Sequence, residues 1–280
     1  MKTYSHSKIE TFEKCRLKFK YRYIDRIIPE IAKSIEAHLG DTVHKSLEWL
    51  YLQVLRGIIP GINDIISFYS EKWNENYRKN MLIVNKETKV EDYFNRGVEF
   101  LVNYYIKHQP FKDNTIATEK RIQIDSDKIN NIRLIGFIDR LVHNLENDEI
   151  EIHDYKTGNT MLSKEKIENS RQLALYSLAV KEMFGQNKKV CLIWHFLAQD
   201  IMICSRKTNE ELENFRKEVI ELIKEIEATK EFQPTISRLC DWCEYKNICS
   251  AWNNKSKTQK TLDTFKAAEE KIEEKLEKIE

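Results

Sequence analysis

The chain predicts an α/β fold, a central mixed sheet flanked by helices, and three observations carry that prediction. Two apolar segments, Ile132 to Arg140 and Ile150 to Lys156, flank a polar stretch from Asn144 to Glu149, the pattern of two adjacent, mostly buried antiparallel strands. On both sides of them apolar residues recur at helical spacing. Only seven glycines and four prolines punctuate 280 residues, which favours a helix-rich protein. The expected order is helix, three-strand meander, helix, hairpin, with a helical insertion before the sheet.

A chain of this length can bury a real core. Its net charge of +1 argues against blanket coating of nucleic acid, while a local basic groove is still compatible with it. No apolar run is long enough to span a bilayer, and the polar amino terminus lacks a secretory apolar region, so the expectation is an intracellular, cytoplasmic protein without a membrane partner. Six cysteines in such a setting are metal ligands or core fillers rather than a disulfide framework.

In chain order, the segment Tyr4 to Ile28 interleaves Lys14, Arg16, Lys18, Lys20 and Arg22 with Phe12, Phe19, Tyr21 and Tyr23 around Cys15. Cations among aromatic faces suit a nucleic-acid strand, since bases stack and phosphates pair. An amphipathic helix with its aromatics in the core explains the same residues. A second helix is expected after Gly40, capped by Asp41 or Thr42, with Val43, Leu47, Leu50 and Val54 as its apolar stripe and His44 in its first turn. A histidine alone at a helix start is more often structural than a ligand.

The insertion, about 57–112, reads as helical, with Phe68, Tyr69, Trp73, Tyr77, Tyr93, Phe94, Phe100, Tyr104 and Tyr105 either building its core or lining a channel. Ile116 to Asp125 is an expected strand containing Glu119. After the central pair, a helix from about Lys164 to Phe184 carries Gln172 and Tyr176 four apart, on one face. Val190 to Ala198 and Ile201 to Lys207 read as a hairpin, in which Cys191 and Cys204 act as small hydrophobes. A charged amphipathic helix follows, from about Asn209 to Lys230.

Cys240, Cys243 and Cys249 then form C-x2-C-x5-C in a short irregular segment. Packing explains three such close thiols poorly, and a tetrahedral metal or a cluster needs a fourth. Cys15 is that fourth sulfur, because no other cysteine lies outside an expected core strand. Zinc and an iron-sulfur cluster fit the spacing equally. Residues 1–255 are expected to form one domain, and 256–280 a charged helix.

The chemistry concentrates at the ends of the central strands. Ile150, Ile152, Asp154 and Lys156 share parity, so a carboxylate and an ammonium continue a core-facing row. Burying either charge alone is costly, and such a row needs a partner, an ion or a solvated cleft. Asp139 on the neighbouring strand supplies a second carboxylate. Two acids and a lysine describe a hard-metal site for Mg²⁺ or Mn²⁺ that supports attack of water on a phosphate.

His44, Gly-Phe-Ile-Asp139-Arg140, Asp154-Tyr155-Lys156-Thr157-Gly158 and Gln172 to Tyr176, in that order, resemble the RecB-type branch of the PD-(D/E)XK nucleases. The flanking cysteines resemble its iron-sulfur members, which include the AddB nuclease domain and the CRISPR-associated RecB-like exonucleases. The likeness extends to about Trp252. It implies a restriction-endonuclease-like core, with His44, Asp139, Asp154 and the Tyr155 main-chain carbonyl holding the divalent metal. By the same resemblance Lys156 is the catalytic lysine, Gln172 and Tyr176 position substrate or water, and Cys15, Cys240, Cys243 and Cys249 carry a [4Fe-4S] cluster. Ile138 stands where the superfamily name expects proline, and Arg16 follows Cys15 where many relatives have proline. No G-x-x-x-x-G-K-[ST] loop is present, so the chain has no motor of its own.

The expected function is metal-dependent hydrolysis of DNA, as an exonuclease on single-stranded DNA, in DNA repair or antiviral defence alongside repair or CRISPR-adaptation proteins. The alternative is a non-catalytic iron-sulfur or zinc nucleic-acid-binding module in a larger complex.

Overall fold

The structure, a computed structural model, describes residues 2–30, 33–126 and 132–253. The described residues form two compact units, one of residues 2–10 with 33–229 and the other of residues 11–30 with 230–253.

The first unit is built on β3 (Ile132–Asn144). One edge of β3 pairs antiparallel with β2 (Thr115–Ser126) along most of its length. Its other edge is shared: β1 (Lys2–Ser5) pairs parallel with Ile132 to Ile135, and β4 (Glu149–Lys156) pairs antiparallel with Arg140 to Asn144. Between those two ladders, Gly136 to Asp139 lie at a fork in the sheet. The sheet continues with β5 (Lys189–Phe196), parallel to β4, and β6 (Ile201–Ser205), antiparallel to β5. A crossover through α6 (Lys164–Glu168) and α7 (Arg171–Phe184) makes the parallel β4–β5 pairing possible, as parallel strands require.

The meander, the hairpin and the mixed sheet are as the sequence predicts. Strand β1 is not foreseen; four residues are too few for a periodic signal. It leads into α1 (His6–Lys14). The expected helix from Lys164 to Phe184 is two, because the Ser170 hydroxyl accepts from Leu173 N and starts a new helix. The helix bearing His44, α3 (Ile35–Leu55), begins six residues before Asp41, where the Ser34 hydroxyl accepts from Ala37 N. Gly40 therefore lies inside it: a glycine costs a helix only about 1 kcal/mol, and the extra turns bury Ile35 and Leu39. His44 moves from the expected first turn to mid-helix.

Helix α3 packs with α4 (Ile62–Asn76) and α5 (Val90–His108) around a core containing Tyr51, Tyr69, Trp73, Tyr93, Phe100 and Tyr104. Those aromatics build the insertion rather than line a channel. Helix α8 (Asn209–Ala228) closes the unit with a capping box at Thr208 and a buried stripe of Leu212, Phe215, Val219, Ile223 and Ile226. Cys191 and Cys204 are not separate small hydrophobes: a disulfide joins them across β5 and β6, where their Cα atoms stand 6.2 Å apart.

In the second unit, α2 (Arg16–Phe19) continues as a wider turn to Ile24; of two later short turns, Arg238–Trp242 contains Cys240 and ends at Cys243, and Lys246–Ile248 ends at Cys249. Phe12 and Phe19 are buried, with Phe19 stacked on Phe232, and Lys18 pairs with Glu244 at 2.7 Å. Much of the basic-aromatic segment is thus spent on packing. The expected helix at 256–280 lies outside the described residues. Among the described residues no helix is long and apolar enough to cross a membrane.

Candidate metal centre

The fork in the sheet places the acidic residues. Beyond the Arg140–His153 pair, β3 and β4 separate, and Asp139 fills the opening: its Oδ2 accepts the Tyr155 main-chain N–H at 2.9 Å. From α3, His44 reaches the same point. Its Nδ1 lies 3.3 Å from Asp139 Oδ2, and its Nε2 lies 2.8 Å from the Tyr155 carbonyl oxygen.

Glu119 completes the group. His44, Glu119 and Asp139 each offer a ligand atom within 4.8 Å of the others, the one such group of three among the described residues. Glu119 sits in β2 with φ of 43°, a left-handed conformation that a non-glycine residue rarely adopts inside a strand. Such strain persists only where the surroundings enforce it, and it collects at functional sites. Sequence reasoning puts Glu119 on a strand but gives it no role; one acidic residue among polar strand positions looks like a solvated face.

Asp154 stands outside that group of three. It is buried, its Oδ1 accepts from Gln172 Nε2 at 2.7 Å, and its Oδ2 faces Lys156 Nζ at 2.7 Å. Lys156 also donates to Gln172 Oε1 at 3.2 Å. Gln172 Nε2 contacts the Tyr176 hydroxyl at 3.1 Å, and that hydroxyl donates to the Phe137 carbonyl at 2.6 Å, on the open stretch of β3. Gly136 is needed there: a Cβ would stand 2.9 Å from the Tyr176 ring.

The electrostatics match a cation site. Burial disfavours the charged His44 ring, but Asp139 by charge and hydrogen bond, then Asp154, outweigh it and raise its pKa to about 9. Burial also pushes Asp139 up, yet His44 and the Tyr155 N–H hold it below the usual carboxylate range. Asp154 goes the other way, raised by burial against the pull of Lys156, with Asp139 adding to the rise. Glu119 is raised to about 7, first by burial and then by Asp139 and Glu48. In this arrangement an imidazolium bridges a carboxylate and a main-chain carbonyl. A divalent ion would replace that positive charge.

Imidazole nitrogen, two carboxylates and a carbonyl form a hard, oxygen-rich donor set suited to Mg²⁺ or Mn²⁺. The pocket beside them, about 470 Å³, is lined by Glu36, Asp41, Lys45, Glu48 and Thr157 as well as the three ligand candidates.

In the second unit, Cys15, Cys240, Cys243 and Cys249 are all free thiols of intermediate exposure. Thr235 N approaches Cys15 Sγ at 3.5 Å and Ser237 N approaches Cys240 Sγ at 3.4 Å. Both contacts are of the N–H···S kind.

A comparison with curated proteins finds no match. Among solved structures, a candidate exonuclease from Eubacterium rectale aligns with TM-score 0.52 and 14% identity, covering 86% of each chain, which is a likeness of fold. SSO0001 aligns with TM-score 0.38 and 13% identity over 76% of this chain and 94% of its own, too distant to carry an argument. The family model described as the PD-(D/E)XK nuclease superfamily matches residues 3–250, a span that contains the whole fork, its carboxylates and Lys156. By that match the chain belongs to the PD-(D/E)XK nuclease superfamily.

Proposed function

We propose that this protein is a Mg²⁺- or Mn²⁺-dependent deoxyribonuclease that degrades single-stranded DNA from an end. The observation that carries the reading is the convergence of His44, Glu119, Asp139 and the Tyr155 carbonyl at the fork, with Lys156 held nearby by Asp154 and Gln172. When bound, a divalent ion supplies an activated water and polarises the phosphate. Asp139 and Glu119 would hold it by charge and His44 as neutral imidazole, Glu119 and His44 releasing their protons to solvent on binding. Asp154 and Gln172 aim the Lys156 ammonium, which offsets negative charge gained by the phosphate as the bond to water forms. Tyr176 ties Gln172 to β3 and so keeps that aim fixed.

The four cysteines of the second unit hold a [4Fe-4S] cluster in this reading. Free thiols from both ends of the chain, two of them approached by main-chain N–H groups, fit thiolate ligation. The cluster is structural, and no step of hydrolysis passes through it. Its setting is DNA repair or defence against foreign DNA.

The test is a cleavage assay on end-labelled linear and circular single strands, with and without Mn²⁺, comparing wild type with Asp154→Ala. Wild type should shorten the linear strand only when metal is present and spare the circle, while the variant should leave both strands intact. Cleavage of circles at the linear rate would refute end-dependence, and unchanged activity in the variant would refute the site.

A further inference from the structure

Behind the metal centre lies a buried polar network to which hydrolysis assigns no part. Arg140 is 1% exposed. Its guanidinium lies 4.0 Å over the Tyr51 ring. Nε donates to the Tyr155 hydroxyl at 3.1 Å, Nη1 to Thr115 Oγ1 at 3.0 Å and to Asp113, and Nη2 approaches His153 Nδ1 at 2.7 Å. His153 in turn meets His195 Nε2 at 2.8 Å. The Tyr155 hydroxyl also contacts Tyr104 OH at 3.2 Å, and Tyr104 OH contacts Tyr51 OH at 2.8 Å.

Burying a guanidinium is expensive, and one carboxylate offsets only part of the cost. Its location in the sheet suggests what it does. Arg140 and His153 are the last paired residues before β3 and β4 separate. Each residue just past that pair supplies the metal centre: Asp139 with its carboxylate, and Asp154 with the carboxylate that aims Lys156. Tyr155, next along, gives the site its polar contacts through main-chain atoms, its N–H to Asp139 and its carbonyl toward His44, while its ring meets the His44 ring edge-on at 5.8 Å. Its hydroxyl is turned into the network.

We propose that Arg140, acting through the Tyr155 hydroxyl, is a positioning device that sets the direction of the Tyr155 carbonyl and hence the geometry offered to the divalent ion. A strand end free to twist would let that carbonyl swing; the hydroxyl, clamped between Arg140 and Tyr104, pins the residue at its far end. Outer partners of this kind tune affinity without touching the ion. The proposal rests on the metal-centre reading above.

The test is calorimetric titration of Mn²⁺ into wild type, Tyr155→Phe, Arg140→Lys and Tyr51→Phe, with thermal unfolding of each metal-free protein and the Mn²⁺ dependence of cleavage. Tyr155→Phe removes one hydroxyl and no atom of the site. It should weaken Mn²⁺ binding about ten-fold and shift the Mn²⁺ half-saturation of cleavage equally. Tyr51→Phe removes a hydroxyl from the same network one step further out, and should lower unfolding temperature with binding unchanged. Arg140→Lys, which keeps the charge but loses the fork, should behave as Tyr155→Phe does. Equal Mn²⁺ affinity in wild type and Tyr155→Phe overturns the proposal, as does equal weakening by Tyr51→Phe. Failure of wild type to bind Mn²⁺ would instead overturn the metal-centre reading itself.

Discussion

His44 and Lys156 each lie beside a carboxylate, Asp139 and Asp154, and the proposed reaction gives them different work. In the proposed reaction Lys156 faces the phosphate, so Lys156→Ala should cost about a hundred- to a thousand-fold in cleavage, the loss typical of one stabilising donor, while single-strand binding measured by anisotropy is retained. His44 must give up its proton to bind metal. Its pKa is raised from the ordinary 6.5 to about 9, so its ion pair contributes stability present in full below about pH 6.5 and lost as pH rises through about 9. Glu119, raised from 4.5 to about 7, favours the fold while protonated, a contribution present below about 4.5 and lost through about 7. Both contributions fade as pH rises, and the rise in unfolding temperature caused by Mg²⁺ should grow between pH 5 and 9 because both candidate ligands shed protons on binding it. Thermal unfolding with and without Mg²⁺ at pH 6, 7, 8 and 9 checks this; a Mg²⁺ effect that does not grow with pH would contradict it. Asp139, Asp154 and Lys156 were legible in the sequence because charges interrupt apolar strands. Glu119 was not, since what turns it inward is a backbone conformation, and the Tyr155 carbonyl, a main-chain atom with no signature of its own, was named only through the family resemblance.

At the scale of elements, close approach explains what periodicity does not. Helices α4 and α5 meet at Gly97, where an added Cβ would stand 2.1 Å from the Tyr69 hydroxyl oxygen and 2.8 Å from Leu39. Gly97→Ala should therefore destabilise the insertion by about 1–3 kcal/mol, read by urea unfolding, because the ring it strikes is fully buried. The meander was readable from its apolar runs and polar turn, and the hairpin likewise. Strand β1 escaped because it owes its existence to the free edge of β3, a partner over a hundred residues away. The start of α3 was misplaced because Gly40 reads locally as a stop, while the burial of Ile35 and Leu39 that overrides it is a tertiary effect.

At the scale of the whole molecule, one unit carries the candidate metal centre and the other carries the four free cysteines for which a cluster is proposed. Protein purified without air should be brown, absorb near 400 nm and carry about four irons, as thiolate-bound iron does, and Cys243→Ser should lose the colour; a colourless protein carrying zinc would refute the cluster. The decisive measurement is made at the fork, on crystals soaked in Mn²⁺ with data collected at the manganese absorption edge. An anomalous peak should stand within bonding distance of His44, Glu119, Asp139 and the Tyr155 carbonyl. A peak elsewhere, or none under conditions that support cleavage, would refute the metal centre.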